Sequence, residues 1–243
     1  MDHNGVQNRD TGEIKIIFNN SNGNPSKQRL MRQLIHEEST NSCIIALFND
    51  VRCQDPEQLR FDGFSTIIKN DPKRLHFAGG SGLIFPNSWS AEDIPTSSKE
   101  GLIVKLKTDD HLELIVGTIY IHPGQKTPSS YFETIKRHNI NNDKLVIIAA
   151  DFNAPSTELG GRFDSHEGDH LIEIVGRAGL NFVENKTTTY ISRTNGAWNV
   201  LDVAVVSDAA AERLVIFEVF QGAKSYHLLI ATGLQSSLPA GRK

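Results

Sequence analysis

The chain has 243 residues, 38% of them hydrophobic and 22% charged. That is room for one large globular domain or two small ones, and no apolar run is long enough to span a membrane. The net charge of −4 and pI near 6.1 lack the basic footprint of a strong nucleic-acid binder, although a local basic face stays open. Cys43 and Cys53 are too few for a disulfide framework or a zinc ribbon. The polar start, Met1 to Gly12, is no secretory signal and predicts a disordered tail. The chain reads as intracellular, nuclear or cytoplasmic.

Glu13 to Asn19 reads as a strand, with Ile14, Ile16 and Phe18 alternating. Asn20 to Pro25 is a polar connection. Ser26 is expected to cap a helix to about Glu38, with Leu30, Met31, Leu34 and Ile35 on one face. Cys43 to Phe48 is a second apolar strand, in which Cys43 reads as a core residue. Strands follow over Phe64–Ile68, Ser81–Phe85, Leu102–Leu106 and Leu112–Tyr120. The Asp109-Asp110 turn makes the last two a hairpin. Tyr131 to Arg137 is a short helix, Leu145 to Ala150 a buried strand, and His170 to Ala178 a helix closed by Gly179. Thr188–Ser192, Val200–Val206, Val215–Val219 and Leu228–Thr232 complete the strands, and the tail from Gln235 is polar and loose. Two packed sheets with helices outside is the simplest arrangement. The domain is expected over residues 13–234, between tails 1–12 and 235–243.

Leu145-Val146-Ile147-Ile148-Ala149-Ala150 delivers Asp151 and Asn153 to the end of a strand. Period-two alternation sends both side chains the same way. A carboxylate that takes a proton from water, beside an amide that holds the water or a phosphate, is a minimal hydrolytic pair. The plain alternative is turn chemistry, which also places Asp and Asn at strand ends. Other polar clusters sit at strand ends too: Asn19, Asn49-Asp50, Tyr120-Ile121-His122-Pro123, Asp202, and Ser225-Tyr226-His227. His122 reads as a surface residue rather than a metal ligand. His36, His166 and His170 have no metal-ligand spacing, and Lys27, Arg29 and Arg32 read as a solvated helix face. Gly160-Gly161-Arg162 is the better candidate for a DNA backbone contact, because glycine permits close approach and Arg pairs a phosphate.

The ordered set of short motifs resembles the endonuclease/exonuclease/phosphatase superfamily, most of all the endonuclease domain of non-LTR retrotransposons. The pieces are Ile16-Ile17-Phe18-Asn19, Ile44 to Asn49, Gly79 to Leu83, Tyr120 to Gly124, Ala150 to Ala154, Gly160 to Arg162, Thr189 to Ser192, Leu201-Asp202-Val203 and Ser225-Tyr226-His227. The resemblance covers about Ile14 to Thr232. It implies a four-layered α/β sandwich, two packed mixed β-sheets flanked by helices, and Mg²⁺- or Mn²⁺-dependent hydrolysis of phosphate esters. It also implies roles. Asp151 matches the general base, Asn153 the amide that positions water and phosphate, His227 the imidazole on the scissile phosphate, and Asp202 the carboxylate that orients that ring. Asn19 matches the amide at the metal and phosphate site; Tyr120 and Thr189 match phosphate contacts.

Two positions depart from the family pattern. Asn49 stands where the family has its main metal-binding glutamate, and Tyr226 where it has an aspartate. Both changes remove negative charge from the metal side, and Mg²⁺ prefers anionic oxygen. Asp50 is a possible substitute ligand if a bulge shifts the register, since regular alternation points it to the opposite face. Three readings follow. The first is a retrotransposon-derived domain with a degraded Mg²⁺ site that survives as a nucleic-acid or protein binding module. The second is an active metal-dependent endonuclease that nicks one strand of duplex DNA. The third is a phosphatase acting on a small phosphorylated substrate. If phosphate contacts persist, DNA binding is expected at low salt with steep salt dependence. Relatives of this kind usually precede a reverse transcriptase, so the chain is expected to be an excised domain or a stand-alone product. The oligomeric state is open.

Overall fold

The computed structural model describes residues 12–21, 25–39, 42–51, 59–70, 79–141, 143–183, 187–192, 194–220 and 227–235. Apart from Gly12 and Gln235, the expected tails lie outside the described residues, as do Ser225, Tyr226 and Cys53. The first sheet contains β1 (Glu13–Asn20), β2 (Cys43–Asn49), β3 (Phe64–Lys69), β4 (Ser81–Pro86), β13 (Leu214–Phe220) and β14 (Leu229–Gln235), in the order β13-β14-β1-β2-β4-β3. The second contains β5 (Ser90–Asp93), β6 (Gly101–Lys107), β7 (Glu113–Ile119), β8 (Leu145–Asp151), β9 (Asn181–Phe182) and β12 (Asp202–Val206), in the order β5-β6-β7-β8-β12-β9. A two-stranded hairpin of β10 (Tyr190–Ile191) and β11 (Trp198–Asn199) stands apart from both.

Three apolar clusters show how the layers stack. Inner faces of the two sheets meet through Ile14, Ile16, Phe18, Ile45 and Leu47 on one side and Val104, Leu114, Val116 and Ile147 on the other. The outer face of the first sheet packs Ile17, Ile44 and Ala46 against Met31 and Ile35 of α1 (Pro25–Glu38). The outer face of the second packs Ile115, Val146 and Ile148 against two helices. These are α2 (Ser129–His138), through Tyr131, Phe132 and Ile135, and α3 (His166–Arg177), through Leu171, Ile174 and Val175. The result is the expected four-layered α/β sandwich. The central strands, among them β2, β7 and β8, are buried on both faces, which is why they read as continuous apolar runs.

Strand direction sets the site. β1 and β2 run parallel, as do β7 and β8. The carboxyl ends of β1, β2, β7 and β8 therefore come to one edge of the sandwich. The polar residues Asn20, Asn49, Thr118, Tyr120 and Asp151 take over there from the apolar inner faces. Pro25, rather than Ser26, opens α1, as suits a residue without an N–H at the first helical position. Helix α3 starts earlier than its apolar stripe suggests, because Ser165 caps it by accepting from the Gly168 N–H at 3.0 Å. It ends as expected before Gly179, whose φ is 70°. A short helix, α4 (Asp208–Ala211), follows β12. Cys43 lies at the margin of the inter-sheet core and is half-buried.

Candidate active site

Asp151 ends β8, where the antiparallel ladder pairs it with Asp202, the first residue of β12. Both carboxylates are about 1% exposed. His227 is placed opposite them through its bridge to Tyr190 in the hairpin. The imidazole Nδ1 lies 2.8 Å from Asp202 Oδ2, and Nε2 lies 3.7 Å from Asp151 Oδ2. Asp202 thus fixes the ring and turns its second nitrogen toward Asp151. Thr189 is fully buried behind this pair. Its hydroxyl accepts the backbone N–H groups of Leu201 and Asp202, each at 3.0 Å, so it holds the start of β12.

Asp151 Oδ2 accepts from Asn20 Nδ2 at 2.6 Å, and Oδ1 accepts from the Asn153 N–H at 3.1 Å. Burial pushes the carboxyl up to about 7; the nearby His227 and the two donors pull it down, while Asp202 adds to the rise. Asn153 takes a left-handed φ of 46°, which Asn tolerates, and donates to the Ile121 carbonyl at 2.8 Å. The Ile121 N–H in turn donates to the Asp151 carbonyl at 3.1 Å. The loop after β7 is thereby stitched to the end of β8. Tyr120, on that loop, is buried and packs edge-on to His122 with ring centroids 4.9 Å apart.

On the β1 side, Asn20 is the amide that reaches Asp151, and the expected residue Asn19 is turned the other way. Ile14, Ile16 and Phe18 face the inter-sheet core, so alternation carries Asn20 inward and Asn19 outward. Asn19 is buried, and its Oδ1 has no hydrogen-bond partner among the described residues. The apolar alternation was the signal that names Asn20.

Asn49 is fully buried between the sheets. Its Oδ1 accepts the Asp151 N–H at 2.8 Å, and its Nδ2 donates to Thr118 Oγ1 at 2.8 Å and Ser81 Oγ at 3.1 Å. One amide joins β2, β4, β7 and β8. Asp50 turns away at a φ of 50°, and its Oδ1 accepts the Gly79 N–H at 2.6 Å.

Beside His227, the hairpin carries Trp198, which is 44% exposed. The Arg162 guanidinium lies 5.8 Å from the centre of the Trp198 ring. The Gly160-Gly161-Arg162 loop is drawn against the hairpin, where a Cβ on Gly161 would lie 2.8 Å from both Ser156 O and Asn199 Oδ1. Phe163 is exposed next to Arg162.

Residues 114–231 match the family described as endonuclease-reverse transcriptase. The fold is similar to the endonuclease domain of TRAS1, a telomere-specific non-LTR retrotransposon (TM-score 0.73, 19% identity, 91% of this chain and 98% of that one). It is also similar to an AP endonuclease of Leishmania major (0.72, 13%, 92% and 88%). A third similar structure is the 3′ phosphatase NExo from Neisseria, bound to a product DNA hairpin (0.64, 12%, 90% and 98%). No curated protein matches the sequence. The fold is that of the endonuclease/exonuclease/phosphatase superfamily, and a retrotransposon endonuclease is among the structures it resembles.

The superfamily is generally dependent on a divalent metal. In this chain Asp151, Asp202 and His227 bring one ligand atom each to within 4.8 Å of one another. The position at the end of β2 does not fit an ion: the Asn49 amide oxygen is committed to the Asp151 N–H and its nitrogen to two hydroxyls. The cluster's own donors are also engaged, Asp202 with the ring and Asp151 with Asn20. None of the described helices is long and apolar enough to cross a membrane.

Proposed function

We propose that this chain is an endonuclease-type domain in which the metal position on β2 has become a structural amide, and that it acts by holding duplex DNA with little or no hydrolysis. The bonding of Asn49 carries this reading. A carboxylate there would need to face an ion, whereas the amide spans the two sheets and anchors the Asp151 backbone. Two of the similar structures, a retrotransposon endonuclease and a phosphatase bound to a DNA hairpin, support DNA as the partner. So does the exposed set of Arg162, Phe163 and Trp198 beside His227, since Arg pairs phosphates and aromatic rings stack on bases.

A second reading rests on a different observation. Asp151, with its carboxyl near 7, and the Asp202–His227 pair form an intact set for activating water beside a phosphate. Asp151 would take the water proton, Asn153 would position the water, and His227 would donate to the phosphate oxygen through Nε2. Nicking of supercoiled plasmid across a Mg²⁺ and Mn²⁺ titration separates the two, with Asp151→Ala alongside. The binding module predicts no nicking that depends on Asp151. Metal-dependent nicking lost in Asp151→Ala makes the chain a working endonuclease with Mg²⁺ or Mn²⁺ as cofactor. Asn49→Glu combined with Tyr226→Asp should restore Mg²⁺ binding, read by calorimetry. A folded double variant that still binds no metal would sink the account of what was lost.

A further inference from the structure

The mouth of the sandwich holds a second carboxylate–imidazole pair that no role above uses. His122 Nε2 lies 3.0 Å from Glu100 Oε2, with the side chains 18% and 12% exposed. Glu100 precedes β6, next to the rung where Gly101 faces Ile119, so it stands across from the loop after β7. Its place is built rather than incidental. The Glu100 carbonyl accepts from Ser81 Oγ at 2.5 Å, and Ser81 Oγ accepts from Asn49 Nδ2. The pair is therefore tied by successive hydrogen bonds to the amide that anchors Asp151. Gly79 makes room for it, because a Cβ there would collide with Glu100 Oε1.

The arrangement repeats that of Asp202 and His227 on the other side of Asp151. In each, a carboxylate grips one ring nitrogen and so sets the orientation of the ring. Glu100 Oε1 is buried and has no hydrogen-bond partner among the described residues, so the His122 ring is the charge partner of this carboxylate. Glu100 fixes the ring through Nε2 at 3.0 Å, and Nδ1 is the atom that would meet an anion. Thr118, Tyr120 and His122 follow one another on the inner side of β7 and its loop, and Asn153 and Asp151 fix the intervening Ile121.

We propose that His122, oriented by Glu100, contacts a backbone phosphate of duplex DNA lying across the mouth, at a subsite on the β6–β7 side of the one at His227. This rests on the reading of the chain as a DNA-binding domain.

The test is fluorescence anisotropy of a labelled duplex in EDTA across a range of salt, so that no metal mediates the contact. His122→Ala should weaken binding by roughly five- to ten-fold and reduce the salt slope by about 0.9, one phosphate contact. His122→Arg should keep the slope. Glu100→Gln and Gly79→Ala, which release the ring by different routes, should each weaken binding while His122 is present and add little to His122→Ala. Ile140→Ser, exposed at the far end of α2, should match the parent chain. Parent-like affinity and slope in His122→Ala overturn the inference alone. A parent chain that binds no duplex at any salt overturns it together with the DNA-binding reading.

Discussion

Asn49 has no solvent exposure, and its amide joins four strands. Truncating it leaves the Asp151 N–H without its acceptor and two hydroxyls without a donor, in a region closed to water. Asn49→Ala should cost about 2–4 kcal/mol and lower the melting temperature by roughly 5–15 °C. A loss within experimental scatter in thermal unfolding would mean that the amide is not holding the sheets. Asp151 makes the opposite case. Its folded carboxyl keeps a proton up to about pH 7, whereas an unfolded one releases it near pH 4. Between those limits the folded state binds more protons than the unfolded state. The contribution to stability is therefore full below about pH 4 and is lost as pH rises toward 7. Asp151→Asn should melt higher than the parent chain at pH 8 in EDTA, with the gap closing by pH 4. A gap that is constant with pH would refute burial as the cause of the shift. The roles of Asp151, Asp202 and His227 were suggested by their motifs, and the structure brings the three side chains together. That Asn20 rather than Asn19 faces Asp151 follows from alternation along β1, a pattern local enough to read. That Ser81, Thr118 and Glu100 join Asn49 was not legible, because those contacts cross sheets and no local pattern records them.

Long elements declared themselves through apolar runs and helical spacing, and their ends shifted by a few residues at most strands. The short ones did not. β5, β9, β11 and α4 contain two to four residues each, too few for any period to show, and tertiary pairing creates them. Thr188–Ser192 was expected as a longer strand; the regular strand is Tyr190–Ile191, and the Thr189 and Ser192 N–H groups flank it by donating to the Asn199 and Ala197 carbonyls. Packing between elements sets limits of its own. Tyr131 of α2 reaches through to donate to the Leu102 carbonyl at 3.0 Å, and Gly117 in β7 leaves it the space. A Cβ on Gly117 would lie 2.6 Å from Tyr131 Oη, 2.7 Å from Ile148 Cδ1 and 3.0 Å from the Leu102 carbonyl. The backbone carbonyl cannot yield as a flexible side chain does. Gly117→Ala should cost about 1–3 kcal/mol through overpacking, and urea unfolding with an unchanged m-value would report it. Trp198→Ala belongs to the hairpin instead. The ring is half in solvent, so DNA affinity should fall several-fold while the melting temperature holds. A large loss of stability would make the ring part of the core.

At the scale of the whole molecule, charge decides how DNA can be held. A net charge of −4 repels a duplex at long range, so binding must come from the few cationic groups that the fold gathers at the mouth. The candidates among the described residues are Arg162 beside Trp198 and the imidazoles of His227 and His122. Each phosphate neutralised changes the slope of log K against log salt by about −0.9 on duplex DNA. Three such contacts give a slope of roughly −3, well short of a basic protein that tracks the backbone over many phosphates. Affinity should thus be modest and should persist best at low salt, and association should slow as the salt that screens the repulsion is removed. Equilibrium titrations give the slope and stopped-flow mixing gives the association rate. A slope steeper than about −5 would place most phosphate contacts beyond the mouth, on a face that the sign of the net charge argues against. A slope near −3, with association that quickens on adding the first increments of salt, is the signature of an acidic body that presents one small cationic edge.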